Sequence, residues 1–148
     1  MMLKGIPKIL SPELLKVLCE MGHGDTICIG DGNFPAASTA KNAILIRADG
    51  HGVPELLDAI LQVFPLDKHV ARPVKLMAVT PSDEGKVKTP IWDDFKAIIG
   101  KYDDRGADAV DYLERFHFYD EAAKAYCIIA TGESALYANV LIQKGVVV

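Results

Sequence analysis

The sequence predicts a three-layer α/β domain, a mixed β-sheet flanked by helices on both sides. Amphipathic helical stretches alternate with short apolar runs along the whole chain. The runs are rich in Val and Ile and lack strict alternation, the pattern of strands covered on both faces. No repeat, linker or low-complexity tract interrupts the 148 residues. Residues 1–148 therefore read as one domain, enough to bury roughly 70% of the surface of the unfolded chain.

The first helix opens with Ser11 as N-cap, Pro12 at the first helical position and Glu13 in the first turn. Leu14, Val17, Leu18 and Met21 then form one apolar face, and Gly22 is the expected left-handed stop. Pro54 starts a second helix with the stripe Leu57, Ile60, Leu61 and Phe64. Thr89-Pro90 starts a third, carrying Ile91, Phe95, Ile98 and Ile99. A fourth is expected over residues 116–125, with Asp120 and Lys124 paired on its wet side. Strands are expected at 26–29, 43–46, 74–79, 107–113, 126–130 and 138–142. The last two are separated by residues 131–136, too few for a helical crossover, which predicts a hairpin and so a mixed sheet.

Charge narrows the partners. Asp and Glu outnumber Lys and Arg by 20 to 16, and the basic residues are scattered. A face that neutralises nucleic-acid phosphates or an anionic membrane is not expected. No stretch approaches the ~18 apolar residues of a membrane span. Cys19, Cys28 and Cys127 lie apart in apolar runs with no C-x-x-C pairing, as expected of buried free thiols in a reducing compartment. The apolar run in MMLKGIPKIL is too short for a signal peptide. A cytoplasmic protein is the expectation.

Four segments carry polar residues that helix and strand patterns do not need: MGHGD (21–25), GDGNFPAAS (30–38), RADG (47–50) and LYAN (136–139). In open α/β sheets ligands gather beyond the carboxyl ends of strands, so these loops are expected to converge there. His23 stands between Gly22 and Gly24, which remove steric cover. Just past a helix end, it feels the negative end of the helix dipole, which suits a general acid near neutral pH. The alternative is a plain helix cap. Asp31 either accepts hydrogen bonds from a ligand, or orients His23, or closes an Asx-turn in Asp-Gly. Asp49-Gly50 has the same ambiguity, and Asp25 is read as serving the loop backbone.

Arg115 offers a fixed fork of donors, or a surface salt bridge with Glu114 or Glu121. Tyr137 and Asn139 flank the small Ala138; on a strand both would point to one face. An aromatic plate beside a two-way hydrogen-bonder is a good sugar-binding pair, and a cross-strand pair at a sheet edge is the alternative. Phe116, Phe118 and Tyr119 read as core. His51, His69 and His117 fall in or beside loops at unrelated spacings, and no His/Cys/Asp set has metal-ligand spacing. No phosphate loop, dinucleotide fingerprint or G-x-S-x-G is present. For an enzyme, this leaves acid–base chemistry on a neutral ligand, with no cofactor and no metal.

Five separated motifs resemble the L-fucose mutarotase family in the right order: SPELLKVLCEMGHGD (11–25), DGNFPA (31–36), IRADG (46–50), ERFHFYDEAAKAY (114–126) and TGESALYAN (131–139). PSDEGKVKTPIWDDF (81–95) looks like the form in animal members. The related D-ribose pyranases share the Gly-His-x-Asp start and Tyr-x-Asn end, and typically carry His where this chain has Arg115. The resemblance implies a ribose-pyranase-like fold, cofactor-free interconversion of the anomers of a small neutral monosaccharide, and sites near subunit contacts of a homo-oligomer. It implies that His23 is catalytic. It further implies that Asp31, Arg115, Tyr137 and Asn139 contact the sugar, and that Ala138 contributes backbone.

Overall fold

A computed structural model describes residues 2–148. Six strands form one sheet in the order β2-β5-β1-β6-β3-β4. They are β1 (Thr26–Gly30), β2 (Ile44–Ala48), β3 (Val74–Met77), β4 (Val110–Leu113), β5 (Cys127–Thr131) and β6 (Val140–Gln143). β2, β5 and β1 run parallel, as do β3 and β4. β6 lies between these two groups and is antiparallel to both β1 and β3. The sheet is mixed, as expected, through a different pairing. β5 and β6 form no hairpin, because β1 separates them.

Successive strand residues face opposite layers. Ile27 and Ile29 of β1 pack with Ile129 of β5 and Ile142 of β6 against helices α1 (Pro12–Glu20), α3 (Val53–Leu61) and α4 (Ile91–Tyr102). Cys28, Ile128 and Leu141 point the other way, against Phe34 and against Phe118 and Ala122 of α5 (Arg115–Ala123). Burial on both faces explains the apolar runs without alternation. The short α2 (Ala36–Thr39) lies on the α5 side. Phe118 is fully buried core, while Phe116 is 63% exposed, contrary to its reading as core.

Local chemistry sets the helix ends. Ser11 Oγ accepts the Leu14 N–H at 3.1 Å, and Glu114 caps α5 by accepting from the Phe116 and His117 N–H groups. α1 ends by an extended Met21 rather than at Gly22; the left-handed residue in that loop is Gly24, at φ +88°. On α5 it is Glu121 that pairs with Lys124, not Asp120. Cys28 and Cys127 are buried, whereas Cys19 lies on the exposed side of α1. No helix among the described residues is long and apolar enough to cross a membrane.

Five strands end, and β6 begins, at one edge of the sheet. Residues 31, 49, 115 and 137–139 emerge there. Residues 22–25, 66–73 and 144 meet at the opposite edge.

Candidate functional site

The polar residues form two clusters, one at each end of β1. At the amino end, Asp25 closes the 22–25 loop by accepting the Gly22 N–H at 2.8 Å, and the Gly24 N–H donates to the Lys144 carbonyl. This confirms Asp25 as a loop residue and leaves His23 half-exposed beyond it. Its Nε2 lies 3.1 Å from Oδ1 of Asp67, a residue that sequence reasoning missed.

Asp67 is buried and firmly held. Its N–H donates to the Gln143 carbonyl, and its Oδ2 accepts from Gln143 Nε2 at 3.0 Å. Its Oδ1 also accepts the His69 N–H at 2.9 Å. Gly145 makes this docking possible: a Cβ there would stand 2.5 Å from the Leu66 carbonyl oxygen. Burial alone would raise the Asp67 carboxyl, but the His69 N–H, His23 and Gln143 outweigh it and hold the group at about 2. An unfolded Asp titrates near 3.9. The interaction therefore stabilises the fold fully above about pH 5 and is lost as pH falls toward 2, a contribution of roughly 2 kcal/mol. Asp67→Asn is expected to flatten the acid limb of melting temperature against pH. An unchanged limb would show that Asp67 is not held ionised by the fold.

The second cluster lies beyond the carboxyl end of β1. Asp31 is buried, and its carboxylate accepts from the Asn33 N–H at 3.0 Å and the Ala138 N–H at 3.2 Å. The Asn33 contact is the Asx-turn that Asp-Gly foretold. Asn139, also buried, accepts the Asp31 N–H through Oδ1 at 2.8 Å. Asp31 is thus tied reciprocally to the Ala138 backbone and the Asn139 side chain just before β6. Burial pushes the Asp31 carboxyl up, with the Ala138, Asn33 and Phe34 N–H groups opposing it.

Tyr137 and Asn139 are not on a strand, because β6 starts at Val140. Tyr137 instead has a left-handed φ of 55°, strained for a residue with a Cβ. Trp92 Nε1 donates to its carbonyl at 2.8 Å, and its hydroxyl meets Asp83 at 2.5 Å and Thr80 Oγ1 at 3.1 Å. Those contacts fix the ring over the 80–83 turn. Arg115, at the first position of α5, is exposed and makes no salt bridge with Glu114 or Glu121. Its Nε donates to the Tyr119 hydroxyl at 3.1 Å, and its guanidinium lies over the Phe116 ring at 5.3 Å. Tyr119, read as core, is therefore half-buried at this cluster's rim. Asp49 is spent on Arg47, at 2.7 Å on the surface.

The structure thus brings Asp31, Arg115, Tyr137, Ala138 and Asn139 to one end of the sheet and His23 to the other. β1 spans five residues between them, roughly 13 Å at the rise of a strand. Asp31 does not orient His23 within one chain; Asp67 does. The expected convergence of MGHGD with the other polar loops fails because His23 precedes β1 and Asp31 follows it.

With this geometry in hand, similarity to known proteins is informative. Residues 4–147 match the RbsD / FucU transport protein family. The human fucose mutarotase is 46% identical over 97% of this chain and 94% of its own length. The crystal structure of FucU from Bifidobacterium longum superposes with a TM-score of 0.95 at 62% identity, covering 98% of this chain and 100% of that one. The Streptococcus pneumoniae fucose mutarotase, solved in complex with L-fucose, gives 0.91 at 46% identity, covering 99% and 100%.

Proposed function

The chain belongs to the RbsD / FucU transport protein family, and from that premise we propose that it is an L-fucose mutarotase, an isomerase that interconverts α and β anomers by opening and closing the ring at C1. The observation that carries this is the His23–Asp67 pair, an imidazole backed by a buried carboxylate, in a chain matched nearly end to end by fucose mutarotases. A carboxylate that orients an imidazole fixes its tautomer and supports its charged form. With Nε2–H donated to Asp67, Nδ1 is the nitrogen that handles the substrate proton.

Ring opening needs a proton delivered to the ring oxygen and one removed from the anomeric hydroxyl. His23, as imidazolium, gives its Nδ1 proton to the ring oxygen as the C1–O5 bond breaks. Asp31, whose carboxyl is raised by burial, accepts the proton of the anomeric hydroxyl as the aldehyde forms. Rotation about C1–C2 and the same two transfers in reverse produce the other anomer. The two aspartates are pushed apart in pKa, Asp67 down and Asp31 up, which suits a fixed counter-charge and a proton acceptor respectively. Arg115, Tyr137 and Asn139 hold the remaining hydroxyls, Ala138 lends backbone, and the exposed Phe116 ring supplies an apolar wall for the 6-methyl group.

The two clusters work as one site only between copies, with the His23 end of one chain meeting the Asp31 end of its neighbour. Both ends carry the apolar exposure that such docking uses: Phe116 and Leu136 at one, and Val146 to Val148 at the other. At the His23 end a groove of about 520 Å³ runs beside Phe64, Leu66, His69 and the 146–148 tail. We therefore assign a homo-oligomer with shared sites, acting in the cytoplasm on a neutral sugar.

Saturation-transfer NMR tests the activity directly. Fucose anomer exchange should rise well above the buffer rate with protein present, and exchange at the buffer rate would reduce the protein to a sugar-binding module. Arg115→His tests the choice of sugar, since His stands there in ribose pyranases. The variant should turn over fucose more slowly; equal turnover would remove the reason for preferring fucose to ribose.

A further inference from the structure

We propose that His23, Asp67 and His69 form a zinc-binding site, and that an ion seated there switches off mutarotation. The three residues come from two separate loops that the start of β6's C-terminal extension holds together. Asp67 and His69 share one loop, and His23 reaches them from the other. One ligand atom from each lies within 4.8 Å of the others.

The distances fit a tetrahedral ion. Zinc bonds of ~2.0–2.2 Å to imidazole nitrogen and carboxylate oxygen place neighbouring ligand atoms roughly 3.4 Å apart. His23 Nε2 is 3.1 Å from Asp67 Oδ1, and His69 Nδ1 is 3.4 Å from the same oxygen. Two of the three edges are therefore already near their final length. The third closes by turning the His69 ring, whose side chain is 72% exposed in the single chain. The His23 and His69 rings lie 4.8 Å apart between centroids, tilted by 51°.

The anchor is the right kind of group. Asp67 is buried and strapped at both oxygens and at its N–H, so it presents a fixed anion rather than a mobile surface carboxylate. Arg105 touches the Asp67 carbonyl at 3.1 Å, but its charge is matched by Asp103, which it grips through Nε and Nη2. Two imidazoles and one carboxylate suit zinc, with water in the fourth position, and do not suit magnesium, which prefers oxygen ligands in an octahedron.

Zinc on Nε2 replaces the proton that His23 shares with Asp67. The ion then holds the His23 ring in place of that hydrogen bond, so Nδ1 is no longer presented to the sugar in the orientation the proton transfer needs. This inhibitory half rests on the mutarotase reading, whereas binding itself does not. The test uses tag-free protein in a non-chelating buffer, titrated calorimetrically with ZnCl₂ and with MgCl₂, alongside NMR exchange of fucose. Wild type should bind one zinc ion per chain and no magnesium. His69→Ala should weaken zinc binding by ~10-fold or more, and its own zinc-free exchange is the reference against which suppression by zinc is read. Zinc should suppress wild-type exchange, a chelator should restore it, and His69→Ala should resist suppression at the same concentration. Equal zinc affinity in wild type and His69→Ala, or no stoichiometric binding, overturns the site. Binding that leaves exchange untouched overturns the switch. Absence of exchange in zinc-free wild type would instead sink the mutarotase reading, with the calorimetry still deciding the site.

Discussion

His23→Ala is expected to lower catalysed fucose anomer exchange by roughly 10²–10⁴-fold, the range of a single positioned acid–base group. The variant should fold normally. His23 is exposed, follows the end of α1, and makes one side-chain hydrogen bond, to Asp67. Removing it leaves Asp67 with the His69 N–H and Gln143. A thermal melt near that of wild type, together with exchange close to the buffer rate, is the expected pair of results. A variant that exchanges anomers as fast as wild type would show that the ring oxygen gets its proton elsewhere, and the assignment of His23 would fall. Asp67→Asn should act in the same direction by a different route. The amide no longer orients the imidazole as the carboxylate does, so His23 loses its fixed tautomer and exchange should slow while the ring itself remains in place.

Mixing inactive variants tests whether the site is shared. His23→Ala lacks the donor at one end of β1, and Asp31→Asn lacks the acceptor at the other. Each alone should be nearly inactive. If every site joins the His23 end of one copy to the Asp31 end of another, subunit exchange in an equal mixture gives intact sites at random frequency, about a quarter of the wild-type number. Exchange should therefore reappear on mixing and rise to about that fraction after dissociation and reassembly. A site built within one chain predicts no recovery at all. Asn is close in size to Asp and can still accept the N–H of Ala138 or Asn33, so the second variant should retain its fold; circular dichroism of each variant before mixing verifies this.

Much of the architecture was legible in the chain. Ser11-Pro12, Thr89-Pro90 and the stripes of Leu and Ile at helical spacing located helices that the structure contains. The apolar runs located all six strands, with ends displaced by a few residues. Failures arose where partner choice mattered. A short span between residues 130 and 138 looked like a hairpin, yet β5 and β6 each chose β1, one on either side. Strand pairing depends on burial of both faces by helices distant in sequence, and no local pattern records it. Tyr137 and Asn139 looked like alternate residues of a strand. A left-handed Tyr137, held by Trp92 and the 80–83 turn, breaks the extension before β6.

The site divides in the same way. The residue types for proton transfer and sugar contact, His23, Asp31, Arg115, Tyr137 and Asn139, stand in recognisable motifs, because such chemistry needs particular side chains and those are written in the sequence. Their arrangement is a property of the folded chain. Only the sheet put His23 and Asp31 at opposite ends of one strand, and only the docking of the 65–67 segment on residues 143–145 brought Asp67 and His69 to His23. The physical reason is that a side chain's identity is local, whereas its neighbours are selected by the packing of the whole core.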